Sequence, residues 1–115
     1  MTLEVYGIKN CDTVRKALKW LDANQLTYQF HDFKKEKLTT ELVAQWLDKV
    51  DISLLINKRG TTWRKLDDDS KAITDTNALI QLIIENPSLI KRPLVTYKGN
   101  SSVGFKADDW QQKYL

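Results

Sequence analysis

Leu3-Glu4-Val5-Tyr6-Gly7-Ile8-Lys9-Asn10-Cys11-Asp12-Thr13-Val14-Arg15-Lys16-Ala17-Leu18-Lys19-Trp20-Leu21 changes its periodicity part-way along, and that change decides the fold. Leu3 and Val5 alternate with Glu4 up to a glycine, the pattern of a short strand. From Cys11 onward the apolar residues recur at helical spacing. Val14, Ala17, Leu18 and Leu21 share one face, and Arg15, Lys16, Lys19 and Asp22 lie off it. Asn24 is the expected helix stop. The aromatic-rich alternation Thr27-Tyr28-Gln29-Phe30-His31-Asp32-Phe33 then reads as a second strand. Two strands joined by one helix are expected to lie parallel, because a helical crossover is the usual connection for such a pair.

Working outward, Thr39 or Thr40 caps a helix whose apolar face is Leu42, Val43, Trp46, Leu47 and Val50. Asp51 to Ile56 suits another helical turn, and Asn57-Lys58-Arg59-Gly60-Thr61-Thr62 reads as a polar loop. Thr74 or Asp75 opens a helix through Glu85, with Leu79, Leu82 and Ile83 inward and Pro87 as its stop. Leu94-Val95-Thr96-Tyr97 is a third strand, Lys98 to Ser101 a hairpin turn, and Ser102 to Phe105 a fourth strand. A last helix starts near Ala107 and carries Trp110 and Tyr114 four apart. The order is β-α-β, a helical insert, then β-β-α: one α/β domain with a mixed sheet.

Composition narrows the function. With 115 residues, 42% hydrophobic and 29% charged, the chain is one ordinary globular domain. Its net charge is only +3, from 18 Lys and Arg against 15 Asp and Glu. The basic residues cluster at Lys34, Lys35 and Lys37, at Lys58 and Arg59, at Arg64 and Lys65, and at Lys91 and Arg92. Aromatic residues are not interleaved with them as stacking platforms, so nucleic acid is not the expected partner. The first and third clusters read as solvated surface. A single cysteine excludes an intrachain disulfide, and one His far from it in sequence makes a metal site unexpected. No signal peptide is visible, and the longest apolar runs fall far short of the ~18 residues of a membrane span. A reducing, cytoplasmic setting, with no membrane contact, is the expectation.

Cys11 is the candidate nucleophile. It stands where the first strand turns into the first helix, beside amides without helical partners and at the positive end of the dipole. Arg15, one turn on, adds a fixed positive charge, Lys9 is near, and Asp12 opposes both. The expectation is a thiol that titrates below the ~8.5 of a free cysteine. The competing reading, a small buried hydrophobe, fits less well because Cys11 precedes the apolar stripe. Val14 stands where a CxxC pair would place its second thiol. Sulfur chemistry here must therefore be monothiol, with the resolving thiol supplied from outside and glutathione the natural candidate. His31, the only histidine, reads as a partly exposed structural residue rather than as a general base. Lys58, Arg59, Arg92 and Lys106 are candidates to close an anion pocket around Cys11 with Arg15. Of the four tryptophans, Trp20, Trp46 and Trp110 read as core or interface, and Trp63 as a pocket-lining candidate.

Three segments together resemble the ArsC, or arsenate reductase, family. They are Val5-Tyr6-Gly7-Ile8-Lys9-Asn10-Cys11-Asp12-Thr13-Val14-Arg15-Lys16-Ala17, Leu55-Ile56-Asn57-Lys58-Arg59-Gly60-Thr61-Thr62-Trp63 and Leu89-Ile90-Lys91-Arg92-Pro93-Leu94-Val95. Within the family they are most similar to the YffB-like branch, which is related to the Spx regulators. The resemblance spans essentially the whole chain. It implies a thioredoxin-like fold with a helical insert over about 39–86, Cys11 as nucleophile, and a cis peptide bond before Pro93. It also implies a ligand site drawing on Asn10, Asn57, Lys58, Arg59, Arg92, Pro93 and Lys106. Of the three arginines that hold the oxyanion in glutaredoxin-linked arsenate reductases, only Arg92 matches directly. Asn57 stands at the second position and Lys106 at the third. The implied activity is a glutathione-dependent monothiol reductase, active as a monomer on a small oxyanion or disulfide, with glutaredoxin as a possible partner and no bound cofactor. The alternative it implies is an Spx-like regulator that docks on RNA polymerase or another protein without turnover. Val14 removes the CxxC redox switch usual in Spx.

Overall fold

A computed structural model describes residues 2–115, which divide into two compact units. The first comprises residues 2–36 and 92–115 and holds a four-stranded mixed sheet. Its elements are β1 (Leu3–Gly7), α1 (Asp12–Ala23), β2 (Tyr28–Asp32), β3 (Leu94–Tyr97), β4 (Asn100–Val103) and a C-terminal helix, Ala107–Tyr114. The strand order is β2-β1-β3-β4. β1 and β2 are parallel, as the helical crossover requires, with Val5 opposite Phe30. β3 is antiparallel to β1, with Tyr6 opposite Leu94, and β4 is antiparallel to β3.

Alternation along β1 turns Leu3, Val5 and Gly7 to one buried face. There Leu3 and Val5 meet Ala17 and Leu21 of α1, Val95 of β3 and Trp110 of the C-terminal helix in one cluster. Each fully buried Val or Leu in it contributes about 1.5–3 kcal/mol relative to exposure. Trp110 is 1% exposed and meets Trp20, Phe105 and Tyr114 edge-on at centroid distances of 5.7, 4.8 and 5.4 Å. Helix α1 ends at Ala23, and Asn24 closes it by donating its side-chain amide to the Trp20 carbonyl at 2.8 Å.

The second unit, residues 37–91, is helical. It contains α2 (Thr40–Lys49), α3 (Ile52–Leu55), α4 (Thr61–Arg64), α5 (Asp68–Lys71), α6 (Thr76–Glu85) and a 3-10 turn, Pro87–Leu89, so the C-terminal helix of the first unit is α7. Four of these helices are capped by side chains of their N-cap residues: Thr39, Asp51, Asp67 and Asp75 each accept an amide hydrogen bond. Val43, Trp46, Leu55, Ile80, Leu82, Ile83 and Leu89 are buried. No helix among the described residues is long and apolar enough to cross a membrane.

Several boundaries differ from the sequence reading. The hairpin turn is only Lys98-Gly99, with φ of 52° and 80°, so β4 starts at Asn100 and ends at Val103 rather than running to Phe105. Two residues at positive φ make a two-residue turn that fits the twist of the flanking strands. The polar segment after Asn57 turns helical at Thr61, and α5 had no apolar period to announce it. Ile80 is buried where Leu79 was expected. The helix stops at Glu85, before Pro87, as expected, and Pro87 goes on to open a 3-10 turn, since its fixed φ and missing N–H suit a first helical position.

Candidate active site

β1 leaves the sheet at Gly7, and Cys11 is the N-cap residue of α1. Its backbone is extended, with φ −133° and ψ 126°, so its carbonyl accepts from the Arg15 amide at 2.9 Å while its side chain caps nothing. The thiol is partly exposed, at the start of the helix and off its buried stripe. Val14, which occupies the second position of the missing CxxC, is fully buried. Gly7 has no Cβ because one there would come within 2.9 Å of Val14 Cγ2. The residue that excludes a dithiol therefore also locks the first turn of α1 onto the end of β1.

The sheet register gathers further residues at this end. Because Tyr6 pairs with Leu94, the chain before β3 stands where β1 runs out toward Cys11. That chain is Arg92-Pro93, joined by a cis bond as the family resemblance implied. Pro93 is buried and its carbonyl accepts from the Gly104 amide at 2.9 Å, which brings the exit of β4 to the same end. Lys106, exposed, is the N-cap residue of α7 just beyond. Cys11, Arg92, Pro93 and Lys106 thus lie toward one end of the sheet's strands.

Arg15 makes two side-chain contacts besides its expected role as a counter-charge to the sulfur. Its guanidinium donates to Asp12 Oδ1 at 3.1 Å and to Asn10 Oδ1. All three are exposed, so the Asp12 ion pair contributes little to stability. It brackets Cys11 between two side chains held by one cation, a link the sequence signalled only as an i,i+3 charge pair. Asn57, Lys58 and Arg59 belong to the helical unit. Asn57 holds its loop shut: its amide donates to the Leu89 carbonyl at 2.8 Å, and its Oδ1 accepts from the Arg59 amide at 3.2 Å. The Lys58 ammonium lies 5.3 Å from the centre of the Trp63 ring, and both line a groove of about 290 Å³ with Ile52, Ile56 and Leu79. Trp63 thus lines a pocket, as expected of it.

His31 is structural in its bonding. Its Nε2 meets Glu4 Oε2 at 2.6 Å, its Nδ1 meets Glu36 Oε1 at 3.0 Å, and its ring stacks on Tyr6 at 4.6 Å. A neutral imidazole has one N–H, so engaging two carboxylates at once suits the doubly protonated cation. Burial pulls the His31 pKa down, but the hydrogen bonds to Glu36 and Glu4 and their charges outweigh it, and the net shift is upward from 6.5. Among the described residues no group of three or more His, Cys, Asp or Glu is placed to hold a metal ion.

The ArsC family profile matches residues 6–113, spanning the Cys11 turn, the helical unit and the Arg92-Pro93 strand. This chain belongs to the ArsC family. A solved ArsC-like structure, a YffB protein, is 39% identical and superposes with a TM-score of 0.92 over 98% of this chain and 99% of that one. An arsenate reductase (ArsC) related protein from Brucella melitensis is 40% identical, with a TM-score of 0.78 over 100% of this chain and 97% of that one. The global transcriptional regulator Spx of Streptococcus agalactiae is 30% identical over 102 residues, 87% of this chain and 74% of that protein. The mixed sheet and its thioredoxin-like topology are those of the ArsC family, a family of thiol-dependent reductase type that also reaches regulators.

Proposed function

We propose that this chain is a monothiol reductase using glutathione, with Cys11 as its nucleophile. The observation that carries the reading is the position of Cys11: the lone thiol, partly exposed, at the positive end of α1 and toward the end of the sheet from which Arg92 and Lys106 emerge. In the proposed reaction the Cys11 sulfur attacks one sulfur of a disulfide substrate. A Cys11–sulfur bond forms, the substrate S–S bond breaks, and the other half departs as thiolate. A first glutathione thiolate then displaces the bound half as a second thiolate and leaves glutathione on Cys11. A second glutathione frees Cys11 and yields oxidised glutathione. Two electrons pass from two glutathiones to the substrate, and Cys11 is unchanged. Arg92 and Lys106 supply positive charge for the glutathione carboxylates. A small oxyanion is the other substrate class, with glutaredoxin the partner that would regenerate the thiol.

The test is mixed-disulfide formation with oxidised glutathione, read by intact mass. The wild-type chain should take up one glutathionyl group and Cys11→Ser none. Each well-formed charge-assisted contact is worth ~1.5–3 kcal/mol, so Arg92→Ala should weaken uptake about tenfold or more. Arg64→Ala, on the exposed face of the helical unit, is the control. No adduct, or equal behaviour of the two arginine variants, would refute the reductase reading. A second reading, a regulator acting by docking on a protein partner such as RNA polymerase, is supported by the similarity to Spx. It would then take precedence.

A further inference from the structure

At the end of β3 remote from Cys11, the hairpin turn and the last turn of α7 enclose a cavity of about 350 Å³. We propose that this cavity binds a small aromatic carboxylate. Its size lies within the ~300–1,000 Å³ of small-molecule sites. Tyr97 and Tyr114 wall it with rings set edge-on, 5.3 Å apart and at 89°. Ser102 adds a hydroxyl, 3.5 Å from that of Tyr114, and Lys98 and Lys113 belong to the lining. No acidic side chain lines it among the described residues, so the two lysines are not neutralised from within the cavity. Two cationic side chains beside aromatic walls match a flat ring carrying a carboxylate. A bare inorganic anion would engage the lysines and leave the tyrosine rings without use.

Lys98 supplies a second, independent observation. It is the first residue of a two-residue turn and sits at φ 52°, in the left-handed region that Asn, Asp and Gly favour and other residues enter at a steric cost. Asn-Gly would suit this turn better. Lysine here instead holds its ammonium 5.2 Å from the centre of the Tyr97 ring, beside the cavity. A local rule broken beside a cavity marks a candidate binding position. The site is separate from the Cys11 end, since β3 runs from Leu94, paired with Tyr6, to Tyr97 at the turn. The inference is therefore independent of the thiol chemistry.

The experiment titrates the full chain with 2-naphthoate and follows amide chemical shifts. Saturable shifts are expected at Ser101, Ser102 and Tyr114. Lys98→Asn removes the cation while installing a residue the turn prefers, so the melting temperature should not fall. Naphthoate binding should weaken about tenfold, the effect of losing one charge-assisted contact. Lys113→Gln should weaken it similarly, and Lys49→Asn on α2 should not. Binding unchanged in Lys98→Asn, or non-saturating shifts spread over the molecule, would overturn the proposal. Displacement of naphthoate by equal inorganic phosphate would overturn it too, because the site would then read charge alone.

Discussion

Replacing Trp110 with alanine tests whether α7 is held to the sheet by one side chain. Trp110 is the only buried residue of that eight-residue helix. An isolated helix of this length is marginal in water, so its order depends on that anchor. Core Trp→Ala changes cost about 3–5 kcal/mol. The upper end is expected here, because the indole also makes three edge-on aromatic contacts, each worth about 0.5–1.5 kcal/mol beyond area burial. Against a total stability of ~5–15 kcal/mol, a loss near 5 consumes a third of it or more. With a urea slope of about 1–3 kcal/mol per molar, the midpoint should fall by about 2–5 M. Circular dichroism should follow the transition, since tryptophan fluorescence is altered by the substitution itself. Hydrogen exchange should show the amides of residues 107–114 losing protection first. Trp110→Phe, which keeps a ring in place, should recover part of the loss. A cost below about 1.5 kcal/mol, with α7 still protected, would show that the C-terminal helix is anchored by something other than this aromatic cluster.

Two further outcomes follow from packing and from charge. Gly7→Ala should destabilise the chain by about 1–3 kcal/mol and disturb the first turn of α1, because the new methyl meets Val14 Cγ2 at 2.9 Å; urea titration and the rate of Cys11 alkylation measure the two effects, and unchanged stability would refute the close approach. His31 has a raised folded pKa, so its contribution to stability is present in full below 6.5 and is lost as pH rises through the folded value. Melting temperature followed across that window should therefore fall toward alkaline pH, and Glu4→Gln with Glu36→Gln should flatten the dependence; an unaltered pH profile in the double variant would remove the paired-carboxylate explanation.

Much of this protein was legible in its residues because the signals are local. The alternation of Leu3 and Val5, the stripe Val14, Ala17, Leu18 and Leu21, and the aromatic strand at Tyr28 specify a β-α-β unit whose strands must run parallel. The lone cysteine at the turn into the helix, with Val14 in place of a partner, limits the sulfur chemistry to one thiol for the same local reason. What the tertiary structure alone decided depends on contacts between distant residues. The pairing of β3 against β1 brings Arg92 and Pro93 to the end of the sheet where Cys11 lies, and no periodicity encodes that register. The link from Arg15 to both Asn10 and Asp12 is likewise an arrangement of three exposed side chains that spacing does not resolve. His31 looked solitary in sequence and proved to be clasped by Glu4 and Glu36, because Glu4 is carried to it only when two parallel strands align. The cavity at the hairpin exists only once α7 lies beside β4, since a site made of residues from separate elements has no sequence pattern of its own.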